Sequence, residues 1–232
     1  MHPVAYSAQY QGEDRNRLTV FFRMIMVIPL MIVGFFYAIG AYVAAIIAWF
    51  TLVFTGNYPE GMYNFIAGVI RFGARVGGYY NLLTDEYPPF GLDDEPNFPV
   101  RVLIEPPLPE YSRVKVLFRL ILLIPVYILA AVMGMISGVV SFIAWFAILF
   151  TGGYSDGLYK PLRAALSYQT KAAAYFLLLT EEWPPFWEDE EEEAPRFGGA
   201  LTAGTDPYAA PAAADPYAAP PQEQAPPPPP PQ

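Results

Sequence analysis

Residues 24–54 read MIMVIPLMIVGFFYAIGAYVAAIIAWFTLVF, a run of 31 residues without a formal charge. Residues 120–150 read LILLIPVYILAAVMGMISGVVSFIAWFAILF and form a second uncharged run of equal length. A helix needs only about 20 apolar residues to cross a hydrocarbon core of about 30 Å. The two runs therefore predict a mainly α-helical membrane protein.

The two runs belong to an internal duplication. Three motifs recur without a gap at a separation of 96 residues, as the following pairs show: Arg23 and Arg119, Trp49 and Trp145, Phe90 and Phe186. A fixed separation across three motifs indicates a tandem repeat. We predict membrane repeat 1 at residues 1–90, membrane repeat 2 at residues 91–186 and a tail at residues 187–232.

Each apolar run is long for one crossing, because a straight helix of this length measures about 46 Å at about 1.5 Å per residue. We therefore expect each run to form a hairpin of two short helices, turning near the glycines at 34–40 and at 134–138. One broken helix that continues along the membrane surface is the alternative. Basic residues flank both sides of each run, and an even number of crossings keeps them all on the cytoplasmic side. This predicts a multi-pass protein of the cytoplasmic (inner) membrane, with both termini in the cytoplasm.

A further helix is predicted after each run, at residues 61–83 and 157–179. Arg71 and Arg75 share one face of the first of these. We expect such an amphipathic helix to lie in the interface with its bases toward anionic headgroups; crossing the bilayer is the alternative. The predicted residues for binding lipid headgroups or a partner are Arg23, Arg71, Arg75, Arg119, Arg163 and Lys171. The predicted aromatic interface anchors are Trp49, Tyr58, Trp145 and Tyr154.

A small β element is expected at the membrane surface. Residues 99–105 alternate apolar and polar side chains, the period of a strand, and residues 4–8 show the same pattern more weakly. Two extended linkers are the alternative interpretation of these segments.

The tail has a different composition from the repeats. Nine acidic residues and one basic residue give residues 187–232 a net charge of −8, out of −9 for the whole chain. An acidic run at 188–193, the repeated sequence Asp-Pro-Tyr-Ala-Ala-Pro and six prolines at 226–231 cannot bury a core. We predict a disordered tail that either docks onto partner membrane proteins or serves as a spacer. A homo-oligomer is compatible with the sequence.

No catalytic constellation is apparent, so no catalytic residue, metal or cofactor is predicted. The chain has no cysteine, and its one histidine is His2, which leaves no usual set of zinc ligands. The acidic pairs at 85–86 and 181–182 recur in both copies and could act as acid and base, but solvated helix ends explain them more simply. Residues 1–186 have a net charge of only −1 and no basic face, which argues against nucleic-acid binding.

These motifs resemble an uncharacterised family of bacterial membrane proteins, catalogued as domain of unknown function four-three-eight-nine. The matching segments are Phe22-Arg23 with Ile28-Pro29, Ala48-Trp-Phe, Phe54-Thr-Gly-Asn-Tyr-Pro-Glu-Gly61 and Leu82-Leu-Thr-Asp-Glu-Tyr-Pro-Pro-Phe90. The resemblance covers nearly all of residues 3–186 and none of the tail. It implies an integral membrane protein and no particular activity.

Together these features predict a non-enzymatic membrane protein that organises or binds anionic lipid or partner membrane proteins. A small transporter or channel subunit is one alternative, because Pro29 and Pro125 interrupt the apolar runs at matching positions. A membrane enzyme acting on lipid headgroups, with Arg23 or Arg71 holding the phosphate, is another.

Overall fold

The computed structural model describes residues 2–12, 15–153, 155–186 and 194–197. In chain order the elements are β1 (Val4–Ala8), α1 (Arg17–Thr55), α2 (Glu60–Tyr80), β2 (Val100–Ile104), α3 (Arg113–Leu117), α4 (Arg119–Thr151), α5 (Asp156–Phe176) and a short 3-10 turn (Ala194–Phe197). The predicted mainly helical fold with a small β element is confirmed. Most of the predicted tail lies outside the described residues.

Each apolar run forms one continuous helix, so the predicted turns inside the runs are wrong. α1 continues through Pro29, and α4 continues through Pro125. The chain reverses only after each run. At that point Gly56 and Gly152 adopt the left-handed conformation, with φ of 77° and 76°, that often ends a helix. The helical hairpin of the first copy is therefore formed by α1 and α2.

The glycines expected to turn α1 are packing sites instead. A Cβ atom on Gly34 would lie 3.3 Å from the ring of Phe72, and one on Gly40 would lie 3.0 Å from the ring of Phe65. Both rings belong to α2. Glycine inside a helix costs only about 1 kcal/mol relative to alanine, so packing of this kind overrides it.

The two strands pair antiparallel, in a register that places Tyr6 opposite Val102. Alternate side chains of both strands join the main hydrophobic core against α2 and α5, as the sequence pattern predicts: Val4, Tyr6 and Ala8 from β1, and Val100, Val102 and Ile104 from β2. The alternative of two extended linkers is wrong.

The two copies share this core and contact each other at both ends of the long helices. The indole of Trp49 donates a hydrogen bond to the carbonyl of Val116 at 3.1 Å. At the other end, Trp145 donates to the carbonyl of Val20 at 3.2 Å. Val116 and Val20 are themselves 96 residues apart, so the two contacts are equivalent under the repeat. The two copies are therefore arranged antiparallel, with α1 and α4 running in opposite directions.

Candidate functional site

The outer surface of α1 and α4 is apolar along nearly its whole length. Both helices are long and apolar enough to cross a membrane, and only 17% of the most apolar 18-residue window of each is buried. Large side chains such as Phe54 (73% exposed) and Tyr127 (75% exposed) point away from the protein. Soluble monomers rarely expose a continuous apolar patch of this extent. The surface needs an apolar neighbour.

Arg23 does not reach this surface. Its side chain is only 3% exposed and lies over the ring of Tyr79, 4.5 Å from the centroid. The guanidinium donates to the carbonyl of Thr84 at 2.9 Å and to Asp85 at 2.5 Å. Asp85 also pairs with Arg15 at 3.1 Å. These contacts fix the loop after α2 onto the start of α1.

Arg119 plays the same part in the second copy. It is 3% exposed, lies 3.8 Å from the ring centroid of Tyr175, and donates to the carbonyl of Thr180 at 2.5 Å. Each partner sits 96 residues after its counterpart in the first copy. Arg23 and Arg119 are thus both buried and bind backbone carbonyls, and their binding of headgroups stays a prediction.

Three other predicted bases are also buried within the protein. Arg75 donates to the carbonyls of Asp93 and Gly91, and its burial lowers its pKa. Arg163 donates to the carbonyl of Tyr6 at 3.1 Å, and Lys171 is 1% exposed. On α2 and α5 these three bases therefore point into the protein and not outward. These buried cationic side chains bind partners inside the protein, because burying a charge without a partner costs free energy.

Arg71 is the one predicted base that is only half-buried. Within the described part of the chain, its side chain makes no hydrogen bond or ion pair, and its Nε atom is enclosed. The second copy has Ser167 at the equivalent position, so any site at Arg71 belongs to the first copy alone.

The predicted aromatic anchors are held by internal contacts. Trp49 and Trp145 are half-buried and bond across the two copies, as described above. Tyr58 is buried and donates to the carbonyl of Leu177 at 3.2 Å, and its role as an interface anchor stays a prediction. Tyr154 lies outside the described residues.

Tyr58 belongs to a buried cluster with Tyr63 and Tyr111. Ring centroids lie 5.2 Å apart for Tyr58 and Tyr63 and 5.8 Å apart for Tyr58 and Tyr111. Tyr111 donates to the carbonyl of Leu179 at 3.2 Å. Burial raises the pKa of Tyr111 to about 12 and raises the pKa of Tyr58 and Tyr63 as well. The cluster joins the two copies and requires neutral phenols.

The basic side chains that are exposed, unlike the buried ones described above, lie at the ends of the helices. Arg17 and Arg113, equivalent under the repeat, are exposed at the starts of α1 and α3. Lys115 and Lys160 are also exposed, and pair with Glu181 at 3.1 Å and with Asp156 at 2.8 Å. Cationic groups therefore border the apolar surface at both ends of the molecule.

The acidic pairs form structural contacts. Besides binding arginine, Asp85 accepts a hydrogen bond from the backbone N–H of Asn16 at 3.0 Å, at the start of α1. Glu181 accepts the equivalent bond from the N–H of Ser112. A carboxylate at a helix start is stabilising because it faces free N–H groups and the positive end of the helix dipole.

Helices α2 and α5 border a cleft of about 310 Å³. Its lining is mainly small and apolar, with Asn81, Gln169 and Thr170 as polar members and Tyr6 contributed by the sheet. Among the described residues, no group of three or more histidine, aspartate or glutamate side chains is placed to hold a metal ion.

Sequence reasoning missed the turn that presents carbonyls to the arginines. Leu82 and Leu178 both adopt a left-handed backbone with φ of 67°, which is rare for leucine, and Arg15 donates to the Leu82 carbonyl at 2.5 Å. The sequence carries a signal for it, because Leu-Leu-Thr-acid-acid recurs in both copies and Arg23 recurs as Arg119.

A family model described as Domain of unknown function (DUF4389) matches the chain twice, at residues 17–91 and 113–188. The two matches together span more than half of the chain. No curated protein and no solved structure matches it.

Proposed function

The chain belongs to the Domain of unknown function (DUF4389) family, of which it carries two tandem copies, and from that premise we propose that it is a non-enzymatic membrane protein that binds an anionic bilayer and organises lipid or partner proteins there. The observation that carries the proposal is the outward apolar surface of α1 and α4. At about 25 cal/mol per Å² of apolar surface removed from water, hydrocarbon is the favoured neighbour of such a surface.

The exposed bases support an anionic bilayer. Arg17 and Arg113 border the apolar surface, and each base near an anionic membrane contributes about 1 kcal/mol. These residues replace the buried arginines as the proposed contacts with headgroups, together with half-buried Arg71. The proposed location is the cytoplasmic membrane with both termini in the cytoplasm, because bases accumulate on that side of bacterial-type membrane segments.

Membrane fractionation tests the proposal. The full-length chain is produced in cells, the membranes are floated on a density gradient, and they are washed in high salt. The protein is expected to float and to stay bound, because salt screens charge contacts while leaving apolar contacts intact. Recovery in the soluble fraction would overturn the proposal. Crosslinking pull-downs with and without residues 187–232 then identify partners that depend on the tail.

A small transporter is the second candidate function, and the cleft between α2 and α5 is the observation that favours it. The cleft lies where the two copies meet, which is where transporters built from repeats bind substrate. Solute flux in proteoliposomes that is lost on Gln169→Leu would favour this candidate over the first.

A further inference from the structure

The two copies are related by an approximate two-fold axis that passes through the sheet. Tyr6 and Val102 are opposite each other in the antiparallel register and are also 96 residues apart, so the axis runs between them. Directly paired residues of an antiparallel ladder have side chains on the same face, so this axis is perpendicular to the sheet.

The long helices run alongside the sheet, at right angles to this axis. At one end of β2, Tyr63 of α2 donates to the carbonyl of Glu105, and at the other end Gly78 of α2 packs against Val100. Helix α2 therefore lies along β2. Helix α1 in turn lies along α2, through the contacts of Gly34 and Gly40 with the two phenylalanine rings. The repeat imposes the same arrangement on α4, α5 and β1.

An upright α1 would bring the sheet and its charged loop to the middle of the bilayer. Gly68, halfway along α2, packs against Leu92, and the exposed side chain of Asp93 follows directly in the loop, before Asp94, which pairs with Arg101 at 3.2 Å. An aspartate at the centre of a bilayer costs about 2.5–3.5 kcal/mol on insertion scales.

The length of the helices also argues against an upright α1. The 39 residues of α1 extend about 58 Å, nearly twice the thickness of a hydrocarbon core. Tilt alone accommodates a much smaller mismatch. A helix lying along the membrane has no such limit on its length.

We propose that the protein is monotopic: the apolar surface of α1 and α4 is embedded in one leaflet, and the charged loop beside the sheet faces water on the same side of the membrane as both ends of every helix. This inference rests on the proposed function, and it replaces the multi-pass arrangement that the sequence predicts. Its ligand is the hydrocarbon of a single leaflet, with Arg17 and Arg113 at the level of the headgroups.

Cysteine labelling tests this orientation directly, because the chain has no cysteine of its own. Glu60→Cys and Asp156→Cys place thiols at exposed, repeat-equivalent starts of α2 and α5, at opposite ends of the molecule. Asp93→Cys marks the charged loop, and Phe36→Cys marks the apolar surface. A membrane-impermeant maleimide is applied to intact spheroplasts and to inside-out vesicles.

The expected result is that positions 60, 156 and 93 react from the same face of the membrane and that position 36 reacts from neither. Labelling of positions 60 and 156 from opposite faces, or protection of position 93, would overturn the monotopic arrangement. The exposed equivalent pair Asn64→Cys and Lys160→Cys repeats the comparison if either of the first variants fails to accumulate. All thiols are expected to react in detergent. Failure of the proposed function looks different, because the chain would then be absent from the membrane fraction.

Discussion

Arg23 donates a hydrogen bond to the carbonyl oxygen of Thr84 at 2.9 Å. Arg119 makes the equivalent bond to Thr180 in the second copy. In each copy the arginine comes from the long helix and the carbonyl from the loop that ends the amphipathic helix, so one side chain closes the helical hairpin. Both copies of the repeat therefore contain a buried arginine whose partners are mainly backbone atoms.

Replacing this arginine is expected to open the hairpin. Arg23→Ala removes hydrogen bonds from a charged donor, each worth about 1.5–3 kcal/mol, and leaves buried carbonyls without a partner. We expect a loss of about 2–3 kcal/mol, which lowers the Tm by roughly 5–10 °C for a chain of this size. Thermal unfolding in one detergent measures it. Arg17→Ala, at an exposed position of the same helix, is the control. Equal Tm values for the two variants would contradict a structural role for Arg23.

Helix α2 offers a matched pair of glycines. A Cβ atom at Gly68 would lie 2.8 Å from the Cβ and 2.9 Å from the carbonyl oxygen of Leu92, whereas one at Gly73 would meet nothing within 4 Å. Gly68→Ala is therefore expected to destabilise the protein by about 1–3 kcal/mol through overpacking. Gly73→Ala is expected to be neutral or to stabilise by up to about 1 kcal/mol through helix propensity. Thermal unfolding distinguishes the two, and a similar gain from both would show that the loop is not fixed against α2.

The tyrosine cluster makes stability depend on alkaline pH. Burial raises the pKa of Tyr111 above its ordinary value of 10, to about 12, so the folded protein favours the neutral phenol. This contribution to stability is complete below pH 10 and is lost as pH rises through about 12. Unfolding midpoints from pH 9 to 12 are expected to fall more steeply in the wild type than in Tyr111→Phe. Tyrosinate absorbance monitors ionisation, and parallel slopes for the two proteins would refute the assignment to Tyr111.

Much of the fold could be predicted from the sequence, because the same sequence patterns occur in both copies. The 96-residue separation identified the two copies, the uncharged runs identified α1 and α4, and the alternation at 100–104 identified β2. The hairpins inside the runs were wrong because the glycines were interpreted by conformational freedom alone. In α1, Gly34 and Gly40 admit the rings of Phe72 and Phe65, which are distant in sequence, whereas a Cβ atom at Gly134 or Gly138 of α4 would meet nothing within 4 Å.

The candidate site was less predictable, for a related reason. In the sequence, Arg23 and Arg119 stand at the edge of an apolar run. Sequence alone does not distinguish a buried arginine from one that reaches headgroups. The distinction depends on Thr84, Thr180 and the left-handed leucines before them, whose positions are set by tertiary packing. The exposed pair Arg17 and Arg113 was present as flanking charge, but its position at the border of the apolar surface follows from the antiparallel arrangement of the two copies.

Removing that exposed pair is expected to weaken the preference for anionic lipid with little effect on the fold, because Arg113 loses only one long hydrogen bond, to the carbonyl of Thr55 at 3.4 Å. Arg17→Gln with Arg113→Gln deletes about 2 kcal/mol of attraction, which corresponds to roughly a 30-fold loss in partitioning from dilute detergent into anionic liposomes. Flotation across a series of salt concentrations measures this, and the wild type is expected to show the steeper salt dependence because exposed charges are screened. Neutral liposomes serve as the control, since there both proteins depend only on the apolar surface of α1 and α4. If the double variant kept the wild-type preference, the bases at the helix ends would not be the groups that contact the headgroups, and half-buried Arg71 would be the next residue to replace.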